Sequence, residues 1–220
     1  MDASVPSAVT KHVYARPWLA CLVALLGAPL LAGETVASAL GRIERSMARV
    51  HSVSADFVQE KSLAMLKNKL TMHGKVYVAT GKFAWHVDTP IRFRMVIDGE
   101  TMHQWDSESD KIQSLDMGKH PAFAMASNQM RRWFDGNYAS FQNEYQIKLS
   151  DKPPLQLTFT PKPKTPAEAF LERVVVAFLP DEQYIDNIQI VEIGGDQTLI
   201  QFTNTRLNSP IPEGAWQTKP

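Results

Sequence analysis

Apolar positions along this chain recur first with a helical period and then with a period of two. Val36, Leu40, Ile43, Met47 and Val50 follow one another at spacings of four and three residues, which puts them on one face of an amphipathic helix. Arg42, Glu44, Arg45 and Arg49 fall on the other face. From there the alternation becomes that of strands. Ala55 and Phe57 alternate with Asp56 and Val58, and Val76 and Val78 flank Tyr77. Phe83, Trp85 and Val87 share one side of a strand ending at Pro90, with Ala84, His86 and Asp88 on the side expected to meet water. Phe93, Met95 and Ile97 repeat the pattern, as do Tyr145-Ile147-Leu149, Leu155-Leu157-Phe159, Val174-Val176-Phe178, Ile188-Ile190 and Ile200-Phe202. Turn signals at Thr80-Gly81, Asp98-Gly99, Lys152-Pro153-Pro154, Pro180-Asp181 and Gly194-Gly195 separate these segments. One stretch differs: His120 to Gly136 has Phe123, Met130, Trp133 and Phe134 at helix-like spacing, opened by Pro121 and closed by Asp135-Gly136. The prediction is a mainly β (α+β) fold: a strongly curved, open antiparallel barrel of ten to eleven strands with two helices, one N-terminal and one central. No internal repeat or low-complexity tract divides residues 34–220, so one domain is expected.

Charge adds a constraint. With 23 Lys+Arg against 23 Asp+Glu, no basic footprint for nucleic acid is visible. The run Trp18 to Gly33 is uncharged and follows Lys11 and Arg16, the layout of an export signal. A membrane anchor would want about 20 apolar residues; here 16 uncharged ones are interrupted by Pro29. A signal peptide over 1–33 and a periplasmic product are therefore expected. The single cysteine, Cys21, lies inside the apolar run, where a lipidation signal would not place it. Removal of the signal would leave no thiol for catalysis, disulfides or metal.

Catalytic candidates are missing. Five histidines follow residue 33, at 51, 73, 86, 103 and 120, with none at metal-ligand spacing, and all are expected at the surface. No G-x-S-x-G elbow supports a hydrolase. Asp106, Glu108 and Asp110 read as a solvated hairpin tip. Gly194-Gly195 reads as a turn between strands. The chain is accordingly expected to be no enzyme and to need no cofactor or metal.

Apolar side chains, by contrast, are abundant. Phe57, Tyr77, Phe83, Trp85, Phe93, Met95 and Ile97 are assigned to the inner face, and Phe123, Met125, Met130 and Trp133 to the central helix. An ordinary covered core explains them. The methionines also suit a pocket that must adapt to varied apolar shapes.

The order of short motifs then points further. Phe57-Val-Gln59, Gly74-Lys-Val-Tyr-Val78, Phe83-Ala-Trp85 through Pro90, Met95-Val-Ile-Asp98-Gly99, Pro121-Ala-Phe123, Leu157 to Pro161, Thr198 to Phe202, Asn208 and Ile211-Pro212 together resemble the periplasmic outer-membrane lipoprotein carrier family, LolA. The resemblance runs from His51 to Trp216. It implies an incomplete barrel closed by the N-terminal helix and a central lid helix, whose interior shields the acyl chains of lipoproteins. It implies a donor, an ATP-driven exporter in the inner membrane, and an acceptor, a receptor at the outer membrane. It assigns the cargo-facing role to Phe57, Tyr77, Phe83, Trp85, Phe93, Met95, Ile97, Phe123, Met125 and Met130, in a carrier expected to be monomeric. His86, facing water, would be dispensable. The pattern departs from the family where an Arg is expected to bond helix carbonyls: the chain reads Ala79-Thr80-Gly81-Lys82. Divergent cargo, another acyl lipid, or a lipid-sensing signalling role on the same fold are the alternatives.

Overall fold

The computed structural model describes Met1 and residues 34–65, 68–120, 131–150 and 153–220. The expected segment 1–33, apart from Met1, lies outside the described residues, as do Phe123, Met125 and Met130. The helix predicted first is α1, Val36–Met47, with Thr35 as its N-cap accepting a hydrogen bond from the Ser38 amide at 3.2 Å. Its stripe is buried as expected: Leu40, Ile43 and Met47 enter the core, joined by Ala39.

Eleven strands follow: β1 Ser52–Ser62, β2 Lys69–Ala79, β3 Lys82–Thr89, β4 Phe93–Asp98, β5 Thr101–Asp106, β6 Ile112–Asp116, β7 Tyr145–Leu149, β8 Gln156–Pro161, β9 Leu171–Phe178, β10 Ile185–Glu192 and β11 Gln197–Leu207. They form one sheet in the order β6-β5-β4-β3-β2-β1-β11-β10-β9-β8-β7. Two antiparallel meanders are thus joined where the first strand pairs with the last, Phe57 opposite Phe202. β6 and β7 stand at the two edges, so the sheet is not closed into a barrel. Asn208 fastens the join. Its side-chain oxygen accepts from the His51 amide at 2.7 Å, and its amide group donates to the Arg49 carbonyl at 2.9 Å.

The concave face holds the main core. Register places Phe83 opposite Ile97 and Trp85 opposite Met95, and Trp85 stacks on Phe57 with ring centroids 3.9 Å apart. That stack depends on Gly74, which faces Phe57 across the β1–β2 pair. A methyl group there would lie 2.7 Å from Phe57 Cζ and 1.9 Å from the His86 carbonyl oxygen.

The convex face is the surprise. Ala84, His86, Val96 and Trp105 lie on it by register and are all buried. The chain's own tail runs beside them: a 3-10 turn, Glu213–Trp216, buries Ala215, and Gln217 and Lys219 reach Arg94 and Asp110. The expectation of a solvent-facing His86 is therefore corrected: it is 5% exposed and its Nε2 has no partner. Periodicity identified the outer face; it could not show that a second layer covers it. Burial, and then the Arg94 charge, push the His86 imidazole down to about 4, against a hydrogen bond with the Ala215 backbone that raises it.

Two outcomes follow. Gly74→Ala should lose about 1–3 kcal/mol in denaturant melts, because the new methyl meets backbone rather than a movable side chain. His86 stays neutral when folded, so its full stabilisation is present above its ordinary 6.5. Stability should drop as pH falls from there towards 4, where only the unfolded chain takes up the proton. His86→Leu should flatten that slope in urea melts measured across this range.

Candidate functional site

Opposite β7–β9 the concave face is filled by aromatic side chains from the segment between β6 and β7. Residues 131–135 are helical and place Trp133 and Phe134 against the sheet. Trp133 stacks on Phe141 at 4.3 Å and meets Phe159 edge-on at 4.9 Å. Phe134 packs between Phe83 and Phe202. The end of this helical segment is held by buried hydroxyls: Tyr138 donates to the Trp133 carbonyl at 2.6 Å and Tyr184 to the Phe134 carbonyl at 3.3 Å. Both satisfy carbonyls that a helix end otherwise leaves unpaired. Burial raises both phenols above their ordinary range. Gly136, at φ +75, ends the segment and lies so close to Met47 that a side chain would collide with α1.

Beside this plug, among the described residues, lies a cavity of about 420 Å³. Its floor is built by strand alternation. Val174 on β9 pairs with Ile190 on β10, and Ile188 pairs with Ile200 on β11. Trp85, Trp133 and Phe134 form the inner wall, and Pro166, Ala167 and Phe170 stand at the mouth. The polar lining consists of Thr198, Gln59, Lys61, Glu144 and Tyr145. Lys61 is paired with Glu192 at 3.0 Å, and Glu144 with Arg132 at 2.9 Å. The Arg132 guanidinium also lies 4.2 Å over the Phe141 ring. Such a space, apolar with few polar groups and of ordinary ligand-pocket size, binds by dispersion and desolvation rather than by chemistry.

Two further clefts of about 360 Å³ have a different character. One, on the convex face, is lined by Asp56, Lys75, Tyr77, Asn204 and Arg206. Hydrogen bonds from Lys75 and Asn204 hold the Asp56 carboxyl below its usual range. The other lies at the end of α1, where Arg131 and Asp135 face Thr80 and Gly81; burial raises the Asp135 carboxyl. Among the described residues, no three His, Cys, Asp or Glu side chains are grouped as metal ligands.

Of the residues assigned to cargo by sequence, Trp85 lines the cavity. Phe57, Phe83 and Ile97 lie beneath it in the packed core, each at most 1% exposed. Phe93 and Met95 pack against that core partly exposed. Tyr77 is on the other side: it is paired with Ser54 and Ala84, and faces the convex cleft with Lys75. Its inward assignment is corrected, since the Val76–Val78 alternation already puts it outside. The wall from β9 to β11 went unassigned, although Val174, Ile188, Ile190 and Ile200 carry the same period-two signal. Lys82, standing where an Arg was expected, bonds Asp98 at 2.8 Å and lies 5.9 Å from the Trp216 ring.

The family model for the outer membrane lipoprotein carrier protein LolA matches residues 48–219. The chain belongs to the LolA family. It is similar to the outer-membrane lipoprotein carrier protein of Chromohalobacter salexigens, 24% identical over 208 residues, covering 90% of this chain and 94% of that one. That of Alcanivorax borkumensis is 25% identical over 212 residues, covering 92% and 91%. Among solved structures, a LolA superfamily protein from Nitrosomonas europaea matches with a TM-score of 0.41 at 8% identity, covering 84% of this chain and 98% of that one. Within this LolA-family chain, Trp133 contributes to both plug and cavity wall. Trp133→Ala should cost about 3–5 kcal/mol in chemical denaturation, whereas Phe170→Ala at the half-exposed mouth should stay within about 0.5 kcal/mol.

Proposed function

We propose that this LolA-family chain is a periplasmic carrier that holds acyl chains of lipoproteins in the concave cavity and moves them from the inner to the outer membrane. The observation that carries the reading is the cavity itself: about 420 Å³, lined by Val174, Ile188, Ile190, Ile200, Trp85 and Trp133. The names of its relatives, outer-membrane lipoprotein carrier proteins, support the same cargo. Each methylene taken out of water is worth about 0.8 kcal/mol, so even part of one acyl chain gives useful shielding. Dispersion contacts have no fixed direction, and cargo can leave for a better pocket without a chemical step. The carrier is accordingly non-enzymatic and monomeric, exported by a signal within residues 1–33. An ATP-driven exporter of the inner membrane is its donor and a receptor at the outer membrane its acceptor. Trp85 contacts cargo directly, and we assign the same cargo-facing role to Phe93, Met95, Phe123, Met125 and Met130.

Mild purification from periplasm followed by mass spectrometry of bound material tests this reading. Acylated lipoprotein should be recovered with the wild type. Ile190→Asp, which puts a charge on the cavity floor, should reduce recovery at least tenfold. Leu199→Asp on the convex face of the neighbouring strand should leave it unchanged. Recovery of free phospholipid alone would reassign the cargo, and an empty wild-type protein would overturn the reading.

A further inference from the structure

The inward row along the seam between β1 and β11 changes character along its length. Phe57 stands opposite Phe202, Gln59 opposite Ile200 and Lys61 opposite Thr198. The floor thus grades from aromatic to polar towards the end where Lys61 meets Glu192 and the Ile193 amide donates to the Phe170 carbonyl at 2.9 Å. Most of the polar lining is already engaged. Lys61 is paired with Glu192 and Glu144 with Arg132, and the Tyr145 ring packs edge-on against Trp133 and Phe159. Gln59 and Thr198 remain: among the described residues, neither side chain has a hydrogen-bond partner. Thr198 is 6% exposed, so its hydroxyl faces the cavity and little else. A buried hydroxyl without a partner costs stability. The neighbouring floor positions Ile188, Ile190 and Ile200 are β-branched and apolar, and folding alone would be served as well by a valine at 198.

We propose that Gln59 and Thr198 recognise the carbonyl of a fatty acyl ester or amide, so that the cavity selects acylated cargo over equally long chains lacking that group. The proposal rests on reading the cavity as an acyl site. Both side chains can donate, Thr198 through its hydroxyl and Gln59 through its amide group, and one carbonyl oxygen has lone pairs for two donors. Diagonal positions across an antiparallel pair lie about 7–8 Å apart, within reach of a long side chain such as Gln59. Charge selects a neutral ligand group. The cation on the floor, Lys61, is held by Glu192, so a fatty carboxylate would meet no unpaired cation among the lining residues described. Lys164, Glu168 and Asp196 of the adjoining loops are outside that lining. With the carbonyl at Thr198, the hydrocarbon runs towards Trp85, which stacks on Phe57, and the head group leaves past Lys61. A site built to bond a polar group discriminates against a ligand without it, because its own buried group is then left unpaired.

Probes that differ only in the carbonyl test this. One pair is a lysophosphocholine with an acyl ester or an alkyl ether chain of the same length; the other is a diacylglyceryl-cysteine peptide and its dialkyl ether form. Binding is read from tryptophan fluorescence, since Trp85 and Trp133 line the cavity. The wild type should bind each acyl form about tenfold more tightly than its ether. Thr198→Val and Gln59→Leu should each cut that preference to about threefold, and the double variant should abolish it, with ether affinity kept within about twofold. Thr203→Val, the same change at an exposed position of β11 opposite Asp56, should keep the full preference. Thr198→Val should unfold at no lower denaturant concentration than the wild type; a clear loss would make the hydroxyl structural and overturn its assignment. Equal binding of ester and ether by the wild type, or a preference surviving in the double variant, would overturn the proposal while leaving the cavity an acyl site. Tighter binding of the free fatty acid than of its ester would overturn it too, and would assign this end to Lys61. A preference seen with the lysophosphocholines but no binding of the lipopeptide would leave the carbonyl site standing and remove lipoprotein as the cargo. A wild type that binds none of the probes would remove the carrier reading and this proposal with it.

Discussion

An eleven-stranded sheet that curves without closing cannot cover its own concave face, and the rest of the molecule follows from that constraint. A closed barrel would fill its interior from all its strands; here β6 and β7 leave a gap, and other segments must supply what is missing. α1 covers part of the face with Leu40, Ile43 and Met47. The segment preceding β7 covers another part with Phe134 and with Trp133, Tyr138 and Phe141, the rings of these last three meeting at 4.3 to 6.5 Å. Among the described residues, the floor formed by β9, β10 and β11 is met only at its inner side by Trp133 and Phe134, and the cavity lies over the rest.

The edges of this arrangement are held by polar groups spent on backbone. Tyr138 and Tyr184 are buried phenols whose hydroxyls satisfy the carbonyls ending the helical segment. Their aromatic bodies fill core while their tips hydrogen-bond. This gives the chain a way of bonding helix carbonyls without an Arg after β2. Lys82 takes no part in it, being committed to Asp98. Arg131, paired with Asp135, lines the same cleft as Thr80 and Gly81.

Much of the fold was legible because alternation and turn chemistry agree along the chain. Phe83-Trp85-Val87 and Phe93-Met95-Ile97 face inward together, as their period requires. The helix stripe from Leu40 to Met47 is buried, and Asp106 caps a hairpin tip by accepting from the Ser109 and Glu108 amides. The site was legible only in part. Period two tells which face a residue occupies but not how full that face is, so Phe57 and Phe83 were assigned to cargo while Ile190 was not. What fills their half is an aromatic segment distant in sequence. The same blindness hid the outer layer: Ala84 and His86 read as a wet face, and only the three-dimensional path of the tail around Ala215 shows otherwise.

Pairing of the first strand with the last also sets an order of assembly. Each meander consists of neighbours in sequence and can form from short-range pairings, β1 to β6 in one and β7 to β11 in the other. Their union along β1 and β11 joins positions as far apart as Val53 and Leu207, the kind of pairing that is slow to find. A chain delivered from its N-terminus would hold β1 with one edge unoccupied until β11 emerged. During that interval the β11 part of the cavity floor, with Ile200, is absent. The protein would thus acquire its binding space last, when the final strand closes the seam and Asn208 bonds back to Arg49 and His51.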